Sequence, residues 1–266
     1  MPSDWQLSHL SLAILATMNK LFEYTLRLGD TSLILGQRLG EWCGHGPILE
    51  EDIALTNIAL DLIGQSRAFL TYAGQVEGKG RTEDDLAYLR GEREFRNLLI
   101  AEQPNGDFAQ TILRQFLVST FQFFFFTELK KSKDATLAAL ADKSLKEVSY
   151  HVRHSSGWVK RLGDGTEESR QRILHALDEL WMYTGDLFDM DETDQSLIKE
   201  GIAVDLSGIK PLWENKVKEV FTEATLPVPE NAFMIRGSRE GKHTEYLGHM
   251  LAEMQSLARA YPGAQW

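Results

Sequence analysis

A single cysteine, Cys43, among 266 residues excludes a disulfide framework and any cysteine-built zinc or iron–sulfur site within the chain. Cysteine this sparse fits a reducing compartment, so the cytoplasm is the expected location. Positive charge is also short: 28 Lys and Arg stand against 39 Asp and Glu, a net charge of -11. That field repels phosphate backbones and anionic lipid, which argues against nucleic-acid and membrane partners. Long apolar runs are missing too. Phe116–Phe126 is too short to span a bilayer and carries Ser119, Thr120 and Gln122, so its phenylalanines belong to a core or an interface. The apolar segment Leu10–Met18 has no Lys or Arg before or within it and follows Asp4, unlike a secretory signal. There is no Gly-x-Ser-x-Gly elbow, no Gly-x-Gly-x-x-Gly fingerprint, no internal repeat and no strand-rich block. Gly237–Lys242 is a residue short of a phosphate loop, and His243 follows where Ser or Thr is required.

What is present is helix. A first helix is expected from about Asn19 to Cys43, stopped by Gly44-His45-Gly46-Pro47. A second, from about Glu50 to Tyr72, opens on Glu50, Glu51 and Asp52, where the helix dipole favours negative charge. It is apolar on several faces, which predicts a central helix flanked on more than one side. Residues 74–106 change to Gly, Lys, Glu, Asp and Arg around short helical pieces, and read as a crossover. Asp107 is placed to cap a third helix reaching about Lys131; a fourth spans about Ala135 to Leu162; Thr166 starts a fifth reaching about Phe188. An acidic stretch from Asp186 to Asp194 follows, then a helix near Trp213–Thr225 and a last one from Thr244 to Ala260. Two long helices, a long crossover and two more long helices describe an all-α, ferritin-like four-helix bundle with additional C-terminal helices. A single domain over residues 1–266 is expected, with 1–20 an N-terminal extension, 21–163 the bundle and 164–266 the added helices.

Catalytic bundles of this class grip two metal ions with a Glu from each of two helices and a Glu-x-x-His pair from each of the others. Only fragments of that set occur. The second helix repeats Asn57, Asp61 and Gln65 at fourfold spacing, with Gly64 where a His would stand. The third offers Thr111, Gln115, Ser119 and Gln122, which carry no charge, and Glu128 near its end. The fourth aligns Glu147, His151 and His154 on one stripe, with Tyr150 in the usual His position, while Lys146, Arg153 and Lys160 share another side. Helix one adds Glu41 or Glu23. These degenerate metal positions, chiefly Glu41, Asp61, Glu147, His151 and His154, supply too few carboxylates to neutralise two cations. A structural role, hydrogen-bonded between helices, is the expected reading, with Asp61 meeting Arg38 or a histidine of the fourth helix. Cys43 reads as a packed thiol, and the Glu240/His243 and Glu245/His249 pairs read as poor metal platforms.

Several strings carry a resemblance: Gly40-Glu-Trp-Cys-Gly-His-Gly-Pro47, the segment Asp52–Arg67, Glu102-Gln-Pro-Asn-Gly-Asp-Phe108, Tyr150-His-Val-Arg153 and Gly157–Gly165. Leu180-Trp181, His243-Thr-Glu245 and Leu251–Gln255 extend it over nearly the whole chain from about Leu21. In order and number they resemble the C subunits of bacterial phenylacetyl-CoA epoxidases, also called phenylacetate-CoA oxygenases. The resemblance implies a non-catalytic subunit of a monooxygenase of phenylacetate degradation, with no cofactor of its own. It further implies a related A subunit that holds the di-iron centre, a B subunit, and a reductase using NADPH, FAD and an iron–sulfur cluster. An independent di-metal oxidase built on Asp61, Glu147, His151 and a helix-one glutamate is the alternative from the residues, and an acyl-CoA-binding helical module is a third.

Overall fold

The computed structural model describes the backbone of residues 4–264 and the side chains of residues 17–264. Helix α1 runs Asp4–Gly40, well upstream of the expected start, because neither Gly nor Pro occurs between Asp4 and Leu28 to end it. Of the expected extension over residues 1–20, residues 1–3 and the side chains of 4–16 lie outside the described residues. Helix α2, Leu49–Glu77, returns antiparallel to α1. The two approach closely at glycines: a Cβ on Gly29 would meet Leu70 Cδ2 at 2.6 Å, and one on Gly36 would meet Leu62 Cβ at 3.2 Å. In the turn between them Gly44 has φ +81, and Cys43 is exposed, not packed as expected.

The crossover, residues 78–107, holds a short α3 (Glu83–Tyr88) and 3-10 turns at Glu92–Glu94 and Leu99–Glu102. Helix α4, Phe108–Leu129, starts at the expected cap, where the Asp107 carboxylate accepts from Gln110 N at 3.0 Å. Asp134 caps α5 (Ala135–Gly163) and Thr166 caps α6 (Glu167–Leu180) in the same way. The chain then tightens into a 3-10 segment, Trp181–Phe188, so the fifth helix is α-helical only to Leu180. The acidic stretch proves to be a helix entry: Asp191 and Asp194 form the capping box of α7, Glu192–Glu200. Helices α8 (Leu206–Glu223), α9 (Glu245–Met254) and α10 (Ser256–Ala260) complete the chain, and no strand occurs among the described residues. The fold is the ferritin-like bundle, α1/α2 and α4/α5, with α6–α10 added.

The central helix is α4, not α2. Every residue from Thr111 to Gln122 is buried, with α5, α6 and α8 packed around. Phe126 stacks on Phe69 at 6.0 Å, and Trp213 of α8 donates its indole N–H to Leu117 O at 2.9 Å. Each such fully buried side chain contributes roughly 1.5–3 kcal/mol. Helix α2 instead keeps Leu49, Ile53 and Leu60 exposed at 71%, 51% and 64%.

The crossover is locked by buried ions. Arg90 forms a two-pronged pair with Asp30 of α1, and Asp30 also accepts from Arg96 N at 2.9 Å. Glu102, wholly buried, accepts from Asn97, from the Thr244 hydroxyl and from His243 Nδ1 at 2.9 Å. His243 Nε2 lies 3.0 Å from Phe95 O, so both ring nitrogens face acceptors. Burial pulls this imidazole toward neutrality, but Glu102 and the Phe95 carbonyl outweigh it, and the His243 pKa is raised. Stabilisation from the imidazolium is therefore present in full below the unfolded value of about 6.5 and is lost as pH rises through the higher folded value. Urea midpoints of the wild type and His243→Gln, followed upward from about pH 6, should differ most at the acid end and converge with rising pH. A constant gap would show that the ring stays neutral.

Candidate functional site

Helices α2 and α5 face each other antiparallel across a polar seam. Gln65 Nε2 donates to Glu147 Oε2 at 2.8 Å, His151 Nε2 lies 3.0 Å from Asp61 Oδ2, and His154 Nε2 lies 2.8 Å from Glu51 Oε2. Here, then, Asp61 meets a histidine of α5. Arg38 is engaged elsewhere: it donates from Nη2 to Glu102 O at 2.8 Å and from Nη1 to Glu41 at 2.9 Å. Glu41 thus sits exposed at the end of α1, shared between Arg38 and Asn105, and is no part of the seam. Asn57 also leaves the expected set: it is exposed on the outer face of α2. Glu51 is the member that sequence reasoning missed. It reads as a helix-dipole acid, yet its sevenfold register with Ile58 and Gln65 is the signal that assigns it to the same face.

Helix α4 brings only neutral groups. Gln115 and Gln122 are buried as expected; both amide atoms of Gln115 and Oε1 of Gln122 lack partners. The Ser119 hydroxyl donates to Gln115 O at 2.5 Å and lies 3.4 Å from Ser155 Oγ on α5. Thr111 accepts from Trp42 Nε1 at 3.0 Å.

These residues do not fit a pair of iron ions. Glu51, Asp61 and Glu147 are each committed to an uncharged or titratable neighbour on the facing helix, Glu23 pairs with Arg96 at 2.8 Å, and Glu128 pairs with Lys131 at 2.7 Å. The seam atoms without partners are Nδ1 of His151 and His154, Gln65 Oε1 and the Gln115 amide, none of which carries a negative charge. Neutral donors do not balance four or more positive charges in a low-dielectric interior. Among the described residues no three His, Cys, Asp or Glu side chains form a group able to hold a metal. Near the C-terminus, Glu240 pairs with Lys242, His243 with Glu102, and His249 is exposed. What the seam does chemically is tie α2 to α5, each bond contributing about 0.5–3 kcal/mol depending on charge.

One further group is unusual. Arg114 on α4 is wholly buried, and its guanidinium donates to Gln103 O, to Pro104 O at 3.1 Å and to Asn105 Oδ1. Burial, with the charge of Arg38 adding to it, lowers its pKa to about 9. It fixes the turn where the crossover enters α4.

No helix among the described residues is long and apolar enough to cross a membrane. Residues 12–266 match the family described as phenylacetic acid catabolic protein. The chain is 53% identical over 249 residues, 94% of its own length and 100% of the relative's, to the Escherichia coli K12 protein named as the C subunit of 1,2-phenylacetyl-CoA epoxidase. With a match over nearly its full length and the helical bundle in place, the chain belongs to the family of phenylacetic acid catabolic proteins.

Proposed function

We propose that this chain is a non-catalytic subunit of a multicomponent phenylacetyl-CoA epoxidase, supporting a related helical subunit that holds the di-iron centre. The observation that carries this reading is the seam: between α2 and α5 of a bundle built like the metal-binding ones, Glu51–His154, Asp61–His151 and Gln65–Glu147 pair with one another. The name of the Escherichia coli relative, an epoxidase subunit, supports membership of a multisubunit enzyme.

The surface that meets the catalytic chain is, in this reading, the outer stripe of α2. Leu49, Ile53, Asn57, Leu60 and Gly64 lie within roughly a quarter of the helix circumference at 100° per residue. Three of them are large aliphatics exposed by half or more, and a Cβ on Gly64 would meet nothing within 4 Å. A largely apolar stripe backed by the closely packed α1/α2 pair marks a protein-interaction face, onto which a helix of a second bundle can pack.

The test is to assay ring epoxidation by the purified catalytic chain with its reductase, with and without this chain. Supported activity should fall to near background when it is omitted and return on its addition. Equal activity and equal solubility in both cases would defeat the proposal.

A further inference from the structure

The turn that leads into α4 contains Asn105-Gly106, in which a side-chain amide is followed directly by a main-chain nitrogen able to attack it. Gly106 is exposed and has no Cβ to shield its nitrogen, and that nitrogen takes part in no hydrogen bond among the described residues. Attack of the Gly106 nitrogen on Asn105 Cγ forms the new C–N bond of a cyclic imide as the Cγ–Nδ2 bond breaks. The proton given up by the Gly106 nitrogen leaves with the amide nitrogen as ammonia. Water then opens the imide at either carbonyl, which gives aspartate or isoaspartate.

The fold requires both residues. Gly106 has φ +55, in the left-handed region where a side chain is strained. Asn105 must both donate and accept: Nδ2 donates to Arg38 O at 2.7 Å and to Glu41 Oε2 at 2.8 Å, while Oδ1 accepts from Arg114 Nη2. An ionised aspartate has no donor for the first two. The same bonds oppose the reaction. On the way to the imide Cγ becomes tetrahedral, so the amide nitrogen and oxygen leave the plane in which these partners hold them, and the bonds are given up first. Arg114 cannot follow, because it is wholly buried and its Nη1 is held by Gln103 O and Pro104 O. The Thr111 hydroxyl, donating to Asn105 O at 2.9 Å, fixes the main chain of the same turn.

We propose that Asn105-Gly106 is a latent self-modification site, held closed in the folded chain by Arg38, Glu41 and Arg114, and that local opening of the turn commits the chain to deamidation. Loss of ammonia to solvent makes the change one-way. Each event places a new carboxylate beside Glu41, and the isoaspartate route carries the main chain through Asn105 Cβ and Cγ, lengthening it just ahead of the Asp107 cap of α4. The modification therefore records opening at the point where the crossover enters the central helix.

The test incubates the full purified chain at mildly alkaline pH and follows residue 105 by peptide mass spectrometry with enzymatic labelling of isoaspartate. A synthetic peptide of residues 102–108 gives the unguarded rate. The folded wild type should react about a hundredfold more slowly than the peptide. Arg114→Met should react about tenfold or more faster than the wild type, and Glu41→Ala about threefold or more faster. Glu41 is exposed, so its variant keeps the fold, checked by circular dichroism, and decides the matter alone where Arg114→Met does not fold. A folded wild type that reacts as fast as the peptide would overturn the proposal. So would a rate unchanged in Glu41→Ala or in a folded Arg114→Met.

Discussion

Aspartate at both Ile53 and Leu60 should abolish association with the catalytic chain and leave this chain folded. Both side chains are exposed by half or more, so their replacement should change the stability of the isolated chain by less than about 1 kcal/mol. On the proposed docking the same positions would lie under a partner helix, and two carboxylates would be desolvated there without counter-ions. Affinity should fall by about a hundredfold or more, and epoxidation supported by this chain should fall with it at limiting concentrations. Co-elution on size exclusion with the catalytic chain, together with the melting temperature of the variant alone, separates the two effects. Undiminished co-elution would move the interface off α2.

The second large effect concerns the crossover. Asp30→Ala should destabilise the fold by about 3–5 kcal/mol, because it strands the Arg90 guanidinium, 3% exposed, without a counter-charge. Burial raises the Asp30 pKa against the pull of Arg90, so desolvation, not attraction, is the larger contribution at this site. Buried ion pairs of this kind hold geometry more than they add stability relative to apolar packing, because desolvating two charges offsets their attraction. Asp30→Leu combined with Arg90→Met should accordingly recover most of the loss, to within about 1 kcal/mol of wild type. Urea denaturation of the single and double variants measures both values. A double variant as unstable as the single one would show that the lost bonds, including that to Arg96 N, matter more than the stranded charge.

Local chemistry made the starts of α4 and α6 legible. Asp107 and Thr166 cap α4 and α6 through side-chain bonds three residues long, which a sequence displays directly. The fourfold and threefold spacings that single out Asp61, Gln65, Glu147 and His151 likewise follow from helix geometry. Partners far apart in the chain were not legible. Asp30 finds Arg90 across 60 residues and Glu102 finds His243 across 141, and no local pattern links either pair. Asn57 and the placing of α2 at the centre failed for a different reason. Periodicity records which faces of a helix are apolar, but does not distinguish a face buried by its own chain from one left for another. The excess of apolar residues on α2 is what led to a central position, and two of those residues, Ile53 and Leu60, are ones the fold leaves outside.

The most direct measurement of the central claim is the iron bound by the purified chain after anaerobic incubation with excess ferrous iron and desalting. With the seam carboxylates committed to neighbours on the facing helix, the account predicts far less than one iron per chain, unchanged by Glu147→Ala. Close to two irons per chain, lost in that variant, would contradict it.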